Sequence, residues 1–104
     1  MTDWDAKVRD VLGHFGSRKR TFSIDQSLKL IDFFAQKGTA SKEEMQAHGS
    51  ANFVLTIFGH VTTAVHGPGS LPREGGWYRH PPGDSPYIID TGFSAAWLKA
   101  RPRT

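Results

Sequence analysis

Five histidines, at positions 14, 48, 60, 66 and 80, are the side chains in this 104-residue chain best suited to bind a metal or move a proton near neutral pH. Their spacing argues against a metal. His60 and His66 fall six residues apart, on different faces of any helix that holds both, whereas a zinc-binding pair is stacked at i and i+4. No carboxylate lies near them, and the chain has no cysteine, so thiolate ligands and disulfides are excluded. No metal or other cofactor is expected. Nucleophilic catalysis fares no better. No nucleophile elbow surrounds a serine, and Gly67-x-Gly69 is followed by more loop rather than by the helix that a phosphate loop needs. The carboxylates have ordinary structural uses: Asp25 and Asp32 read as members of a solvated helix, Glu43 and Glu44 as the first turn of another. These patterns point away from an enzyme.

The remaining chemistry is cationic. With 13 Lys and Arg against 10 Asp and Glu, the net charge is +3, a mild preference for polyanionic partners. Its distribution is uneven. Residues 45 to 72 contain no charged side chain, whereas Arg18, Lys19 and Arg20 form one cluster and Lys99, Arg101 and Arg103 another, with Arg73 and Arg79 between them. Arg18, Lys19 and Arg20 are candidates for phosphate contact, against the plainer possibility of a solvated linker.

The elements that would position these groups are mainly helical. Trp4, Val8, Val11, Leu12 and Phe15 recur on one helical face, predicting a first helix over residues 3 to 15 that is broken at Gly16-Ser17. Ser23-Ile24-Asp25-Gln26 is a capping box opening a second helix, with Ile24, Leu28, Ile31, Phe34 and Ala35 on its inner face and a stop at Lys37-Gly38. Ser41-Lys42-Glu43-Glu44 is another capping box, for a short helix ending at His48-Gly49. A fourth helix is predicted over residues 51 to 66. Phe53, Val54, Ile57, Phe58, Val61, Ala64 and Val65 fall on one side, and Asn52, Thr56, Gly59, His60, Thr63 and His66 on the other. A strand over residues 53 to 58 is the competing possibility. Beyond the glycines and prolines of residues 67 to 76, Trp77-Tyr78-Arg79-His80 and Tyr87-Ile88-Ile89-Asp90 read as a β-hairpin, with Trp77 and Arg79 on one face and Tyr78 and His80 on the other. A last helix, opened near Asp90 or Thr91, carries Phe93, Ala96 and Trp97 and stops at Pro102.

Helices followed by a two-stranded hairpin resemble the winged helix-turn-helix superfamily. The resemblance is one of element order, over residues 23 to 90. Residues 23 to 38, 41 to 49 and 51 to 66 match the three helices, and residues 77 to 90 the wing. It implies an α+β, mainly helical fold in a single domain spanning 1 to 104. In it, residues 1 to 22 form an N-terminal helix and basic connector, and residues 91 to 104 a C-terminal helix and basic tail. It also implies double-stranded DNA as the partner, for a transcription regulator or DNA-reading module. Carried over by position, Asn52, Thr56, His60 and Thr63 face the bases, while Arg79 and His80 ride on the wing. The chain departs from the pattern in offering no Arg or Lys from the third of these helices. The alternative is a protein-interaction module that docks its partner on the uncharged face of residues 51 to 66. Trp4 and Trp97, outside the matched core, either pack on it or pair with a second copy as a homodimer.

No apolar run approaches the ~18 residues needed to cross a bilayer, and the charged start of the chain does not read as a secretory signal. A cytoplasmic address and no membrane partner are therefore expected. The 12% aromatic content, with three Trp and seven Phe, is enough to build a core and argues against disorder.

Overall fold

The computed structural model describes residues 2–17, 24–69, 71–72, 74–83 and 85–101. Within them the elements run α1 (Trp4–Ser17), α2 (Ile24–Lys37), β1 (Thr39–Ala40), α3 (Lys42–Gln46), α4 (Ala51–His66), β2 (Tyr78–Arg79), β3 (Tyr87–Ile89) and α5 (Thr91–Ala100). The fold is thus mainly helical with a small antiparallel sheet, and no described helix is long and apolar enough to cross a membrane.

Local signals set most boundaries. Gly38 takes the left-handed conformation, φ +78°, that ends α2 and turns the chain directly into β1. At the start of α3, Ser41 Oγ accepts from the Glu44 amide while the Glu44 carboxylate accepts from the Ser41 amide. Asp90 caps α5 by accepting from the amides of Gly92 and Phe93. The capping box expected at Ser23 lies outside the described residues, as does the cluster Arg18, Lys19 and Arg20.

The core gathers one face from every helix: Val8, Val11 and Phe15 of α1, Leu30, Ile31 and Phe34 of α2, Met45 of α3, Ile57, Phe58 and Val61 of α4, and Phe93 and Trp97 of α5. Helix α1 packs on α4 and α5, and α2 packs on α5. Trp97 is fully buried, and Trp4 meets Phe93 edge to face with ring centroids 5.9 Å apart. Both tryptophans of the flanking helices therefore pack inside this chain.

Ile24, expected on the inner face of α2, lies at the first residue of the helix and is 40% exposed, and three larger features also differ from the sequence expectations. First, the sheet has three strands in the order β1-β3-β2, because Thr39 and Ala40 pair with Ile88 and Tyr87 across β3. Second, Trp77 does not share a face with Arg79. It precedes the first paired residue of β2, and its ring enters the core while Arg79 is exposed. Third, Asp32 is not a solvated helix residue. Its Oδ1 accepts from Trp97 Nε1 at 2.7 Å and Arg101 Nε at 2.8 Å, and its Oδ2 from Arg101 Nη2 at 2.9 Å. This two-pronged pair fastens the end of α5 to α2.

Trp77 is the most elaborately held core residue. Its indole Nε1 donates to Thr62 Oγ1 at 3.0 Å, and the same hydroxyl donates to the Phe58 carbonyl at 2.8 Å. Its backbone amide donates to His66 Nε2 at 3.2 Å. Phe34, Phe58 and Phe93 surround the ring, with centroids 5.9, 5.1 and 5.2 Å away.

Two predictions follow from this arrangement. Thr62→Val leaves the buried indole N–H without an acceptor and should cost about 1–3 kcal/mol in denaturant melts. The same change in a Trp77→Phe background should cost far less, because the orphaned donor is gone. A cost unaffected by the background would detach the hydroxyl from the indole. The second prediction concerns pH. Burial, with a lesser contribution from Lys7, holds the His66 imidazole below its ordinary value. As pH falls below about 6.5 the unfolded chain therefore protonates first, and stability present above that pH is lost toward the lower folded value. The acceptor role of Nε2 also ends on protonation. Wild type should lose more stability between about pH 7 and 5 than His66→Gln, whose amide oxygen can still accept but does not titrate.

Candidate nucleic-acid interface

The candidate interface is built around α4, and the residues before it set its direction. α3 ends at Gln46, and Gly49 sits so close to the Phe53 ring that a Cβ there would overlap it. Ser50 Oγ then caps α4 by accepting from the Phe53 amide at 3.1 Å. The turn between the two helices is therefore short and sterically fixed.

Three sides of α4 are occupied. Ile57, Val61 and Val65 point into the core. Phe58 meets the hairpin, with ring centroids 4.9 Å from Tyr78 and 5.5 Å from Tyr87. His60 meets α1: its Nδ1 lies 3.0 Å from His14 Nε2, so the two imidazoles share a hydrogen bond, and the Phe15 ring is beside them. The fourth side is open. Asn52, Leu55, Thr56, Gly59 and Thr63 are all exposed along it, at the i, i+3, i+4, i+7 and i+11 spacings of one helical strip. Asn52, Thr56 and Thr63 make no side-chain hydrogen bond to another described residue.

The hairpin packs on α4 through Phe58. Its register places Ala40, Tyr78, Tyr87 and Ile89 on the inner face of the sheet, with Thr39, Arg79 and Ile88 on the outer face. Arg79 is exposed. His80, also exposed, stacks flat on the Tyr87 ring with centroids 3.9 Å apart and planes 3° from parallel. That stacking fixes the imidazole at the mouth of the hairpin loop. Burial raises the Tyr78 hydroxyl above its ordinary value, so it stays a neutral phenol at physiological pH.

Four of the eight described lysines and arginines are engaged in ion pairs. Lys29 pairs with Asp25, Lys37 with Glu44, Lys99 with Asp5 and Arg101 with Asp32. Lys7, Arg9, Lys42 and Arg79 pair with no carboxylate among the described residues. Of these, only Arg79 is on the hairpin.

The structure therefore brings Asn52, Thr56 and Thr63 together on one open strip of α4 and exposes Arg79 and His80 on the hairpin, whose inner face meets the same helix through Phe58. It places His60 elsewhere, half-buried between α4 and α1. Leu55, 63% exposed, is the strip member absent from the sequence expectations. A signal for it existed: at 100° per residue it falls outside the apolar arc of Phe53, Val54, Ile57 and Phe58, although its side chain is as apolar as theirs.

No protein-family model, curated protein or solved structure matches this chain.

Proposed function

We propose that the chain is a cytoplasmic winged helix-turn-helix domain that binds double-stranded DNA, acting as a transcription regulator or DNA-reading module by binding alone and not as an enzyme. The supporting observation is the open strip of α4, together with a hairpin that packs on the same helix through Phe58 and exposes an arginine paired with no described carboxylate. The order α2-β1-α3-α4-β2-β3, with the sheet arranged β1-β3-β2, fits the winged core. In this arrangement α4 enters the major groove, and Asn52, Thr56 and Thr63 meet base edges. Arg79 and His80 meet the phosphate backbone from the hairpin. Arg18, Lys19 and Arg20 add further phosphate contacts. His60 supports the interface by tying α4 to His14 of α1 rather than by touching bases.

One observation favours a second reading. The α4 strip carries no charge and exposes Leu55, the features of a surface that docks a protein or a second copy of the chain. The two readings differ in salt dependence, because phosphate contacts release counterions and an uncharged protein interface does not.

A titration against random-sequence duplex at two salt concentrations tests the proposal. Binding should weaken steeply with salt. Arg79→Ala should weaken it by a similar factor on every sequence and reduce the salt slope by about one, since a phosphate contact carries no base information. An absence of binding to any duplex at low salt would overturn the DNA reading and leave the α4 strip as a protein-docking surface.

A further inference from the structure

We infer that the α4 strip selects A·T-rich duplex, read in the major groove through thymine methyl groups and adenine edges, with Asn52, Leu55, Thr56 and Thr63 as the specificity-determining residues. This rests on the DNA reading proposed above and adds to it a substrate class.

The inference comes from matching the strip to what each base pair displays. A G·C pair presents the two acceptors of guanine, best taken by Arg or Lys, and the amino donor of cytosine, best taken by a carboxylate. The exposed strip has neither kind of side chain, and neither occurs anywhere between residues 45 and 72. An A·T pair presents an acceptor and a donor side by side on adenine, which an amide fits with two hydrogen bonds, and a methyl group on thymine, which an apolar group fits. Asn52 is an amide with no partner inside the described protein. Thr56 and Thr63 each carry a hydroxyl and a methyl. Leu55 is an aliphatic side chain 63% exposed at the i+3 position from Asn52. The side chains that fit G·C best are missing, the threonine hydroxyls serve either base pair, and the amide and apolar groups that favour A·T are grouped on one strip.

Gly59 is a second, independent observation. It is exposed at the centre of the strip, in a helix interior, where glycine is unfavourable. A Cβ placed there would have nothing within 4 Å, so no neighbour within the fold requires glycine. What a bare backbone permits at that point is close approach by something outside the fold. The thymine methyl is the base-edge group that projects furthest toward a helix lying in the major groove, and Leu55, Gly59 and Thr63 stand at successive i+4 positions to receive a row of them.

The test is a fluorescence-anisotropy titration of the full chain against three duplexes of equal length: A·T-rich, the same sequence with deoxyuridine in place of thymidine, and G·C-rich. Uracil differs from thymine only by the methyl group, which lies in the major groove. The A·T-rich duplex should bind at least about tenfold tighter than the G·C-rich one. Deoxyuridine should weaken binding about fourfold for each methyl that the strip covers. Leu55→Ala and Asn52→Ala, both at exposed positions whose side chains take no part in the Ser50 cap, should lose the A·T preference and keep the G·C affinity, with folding checked by circular dichroism. Equal, salt-sensitive binding to all three duplexes would overturn the inference and leave the DNA reading standing. An A·T preference unaffected by deoxyuridine would also overturn it, since the protein would then be reading groove shape. If none of the duplexes binds at low salt, the DNA reading fails and the inference fails with it.

Discussion

An indole N–H sealed inside a core must find an acceptor or cost the protein the full desolvation of that group, and the rest of this fold is arranged around how Trp77 finds one. Thr62 Oγ1 accepts the indole proton and passes its own to the Phe58 carbonyl one turn back in α4. His66, one further turn along, accepts the Trp77 amide. Three successive turns of α4 thus hold the first residue of the hairpin, and Phe34 and Phe93 close over it from α2 and α5. The hairpin has only two and three strand residues, too few to be stable alone. Its position relative to α4 is set by the tryptophan at its base rather than by its own ladder.

What was legible in the sequence was what short-range chemistry decides. The Ser41–Glu44 capping box, the glycine after α2, the Asp90 cap and all sixteen residues of α4 depend on residues within about one turn of each other, and periodicity and capping rules read that range. What escaped depends on pairing across the chain. β1 is two residues long and exists because Thr39 faces Ile88, 49 positions away. Asp32 looks like an ordinary helix carboxylate until α5 delivers Trp97 Nε1 and Arg101 to it across 65 and 69 positions. Strand alternation predicts Trp77 on the face of Arg79, but the strand begins one residue later, so alternation does not reach it. The open strip lies between these cases. Asn52, Thr56 and Thr63 were readable from helical periodicity, whereas the burial of His60 needed the position of α1.

The charge distribution separates two things that nucleic-acid binding usually combines. Affinity for a duplex comes mainly from cations at phosphates, and sequence preference mainly from groups at base edges. Here the strip of α4 carries amide, hydroxyl and apolar groups and no cation. The described cations of α2 and α5 are neutralised by Asp25, Glu44, Asp5 and Asp32, and three of those pairs fasten elements together. Arg101 in particular is committed to Asp32, where both its prongs are used. A basic tail that looks in the sequence like a phosphate grip is, at this residue, a clasp for α5.

This commitment bears on how selective the strip can be. A side chain reading a base edge discriminates only if the backbone carrying it is fixed before the encounter, because ordering it afterwards offsets the gain. Helix α4 meets that requirement on every side but one. The core holds it through Ile57 and Val61, the hairpin through Phe58, α1 through the His14–His60 contact, and the turn before it through Gly49 and the Ser50 cap. Each of those contacts lies at a helix position that the strip does not use. Helix α1 is fixed in turn by α5, where Trp4 occupies the space that a side chain at position 92 would need, so only glycine fits there. The flanking helices thus act on the candidate interface without reaching it: they set the orientation of the face of α4 that the described residues leave uncovered.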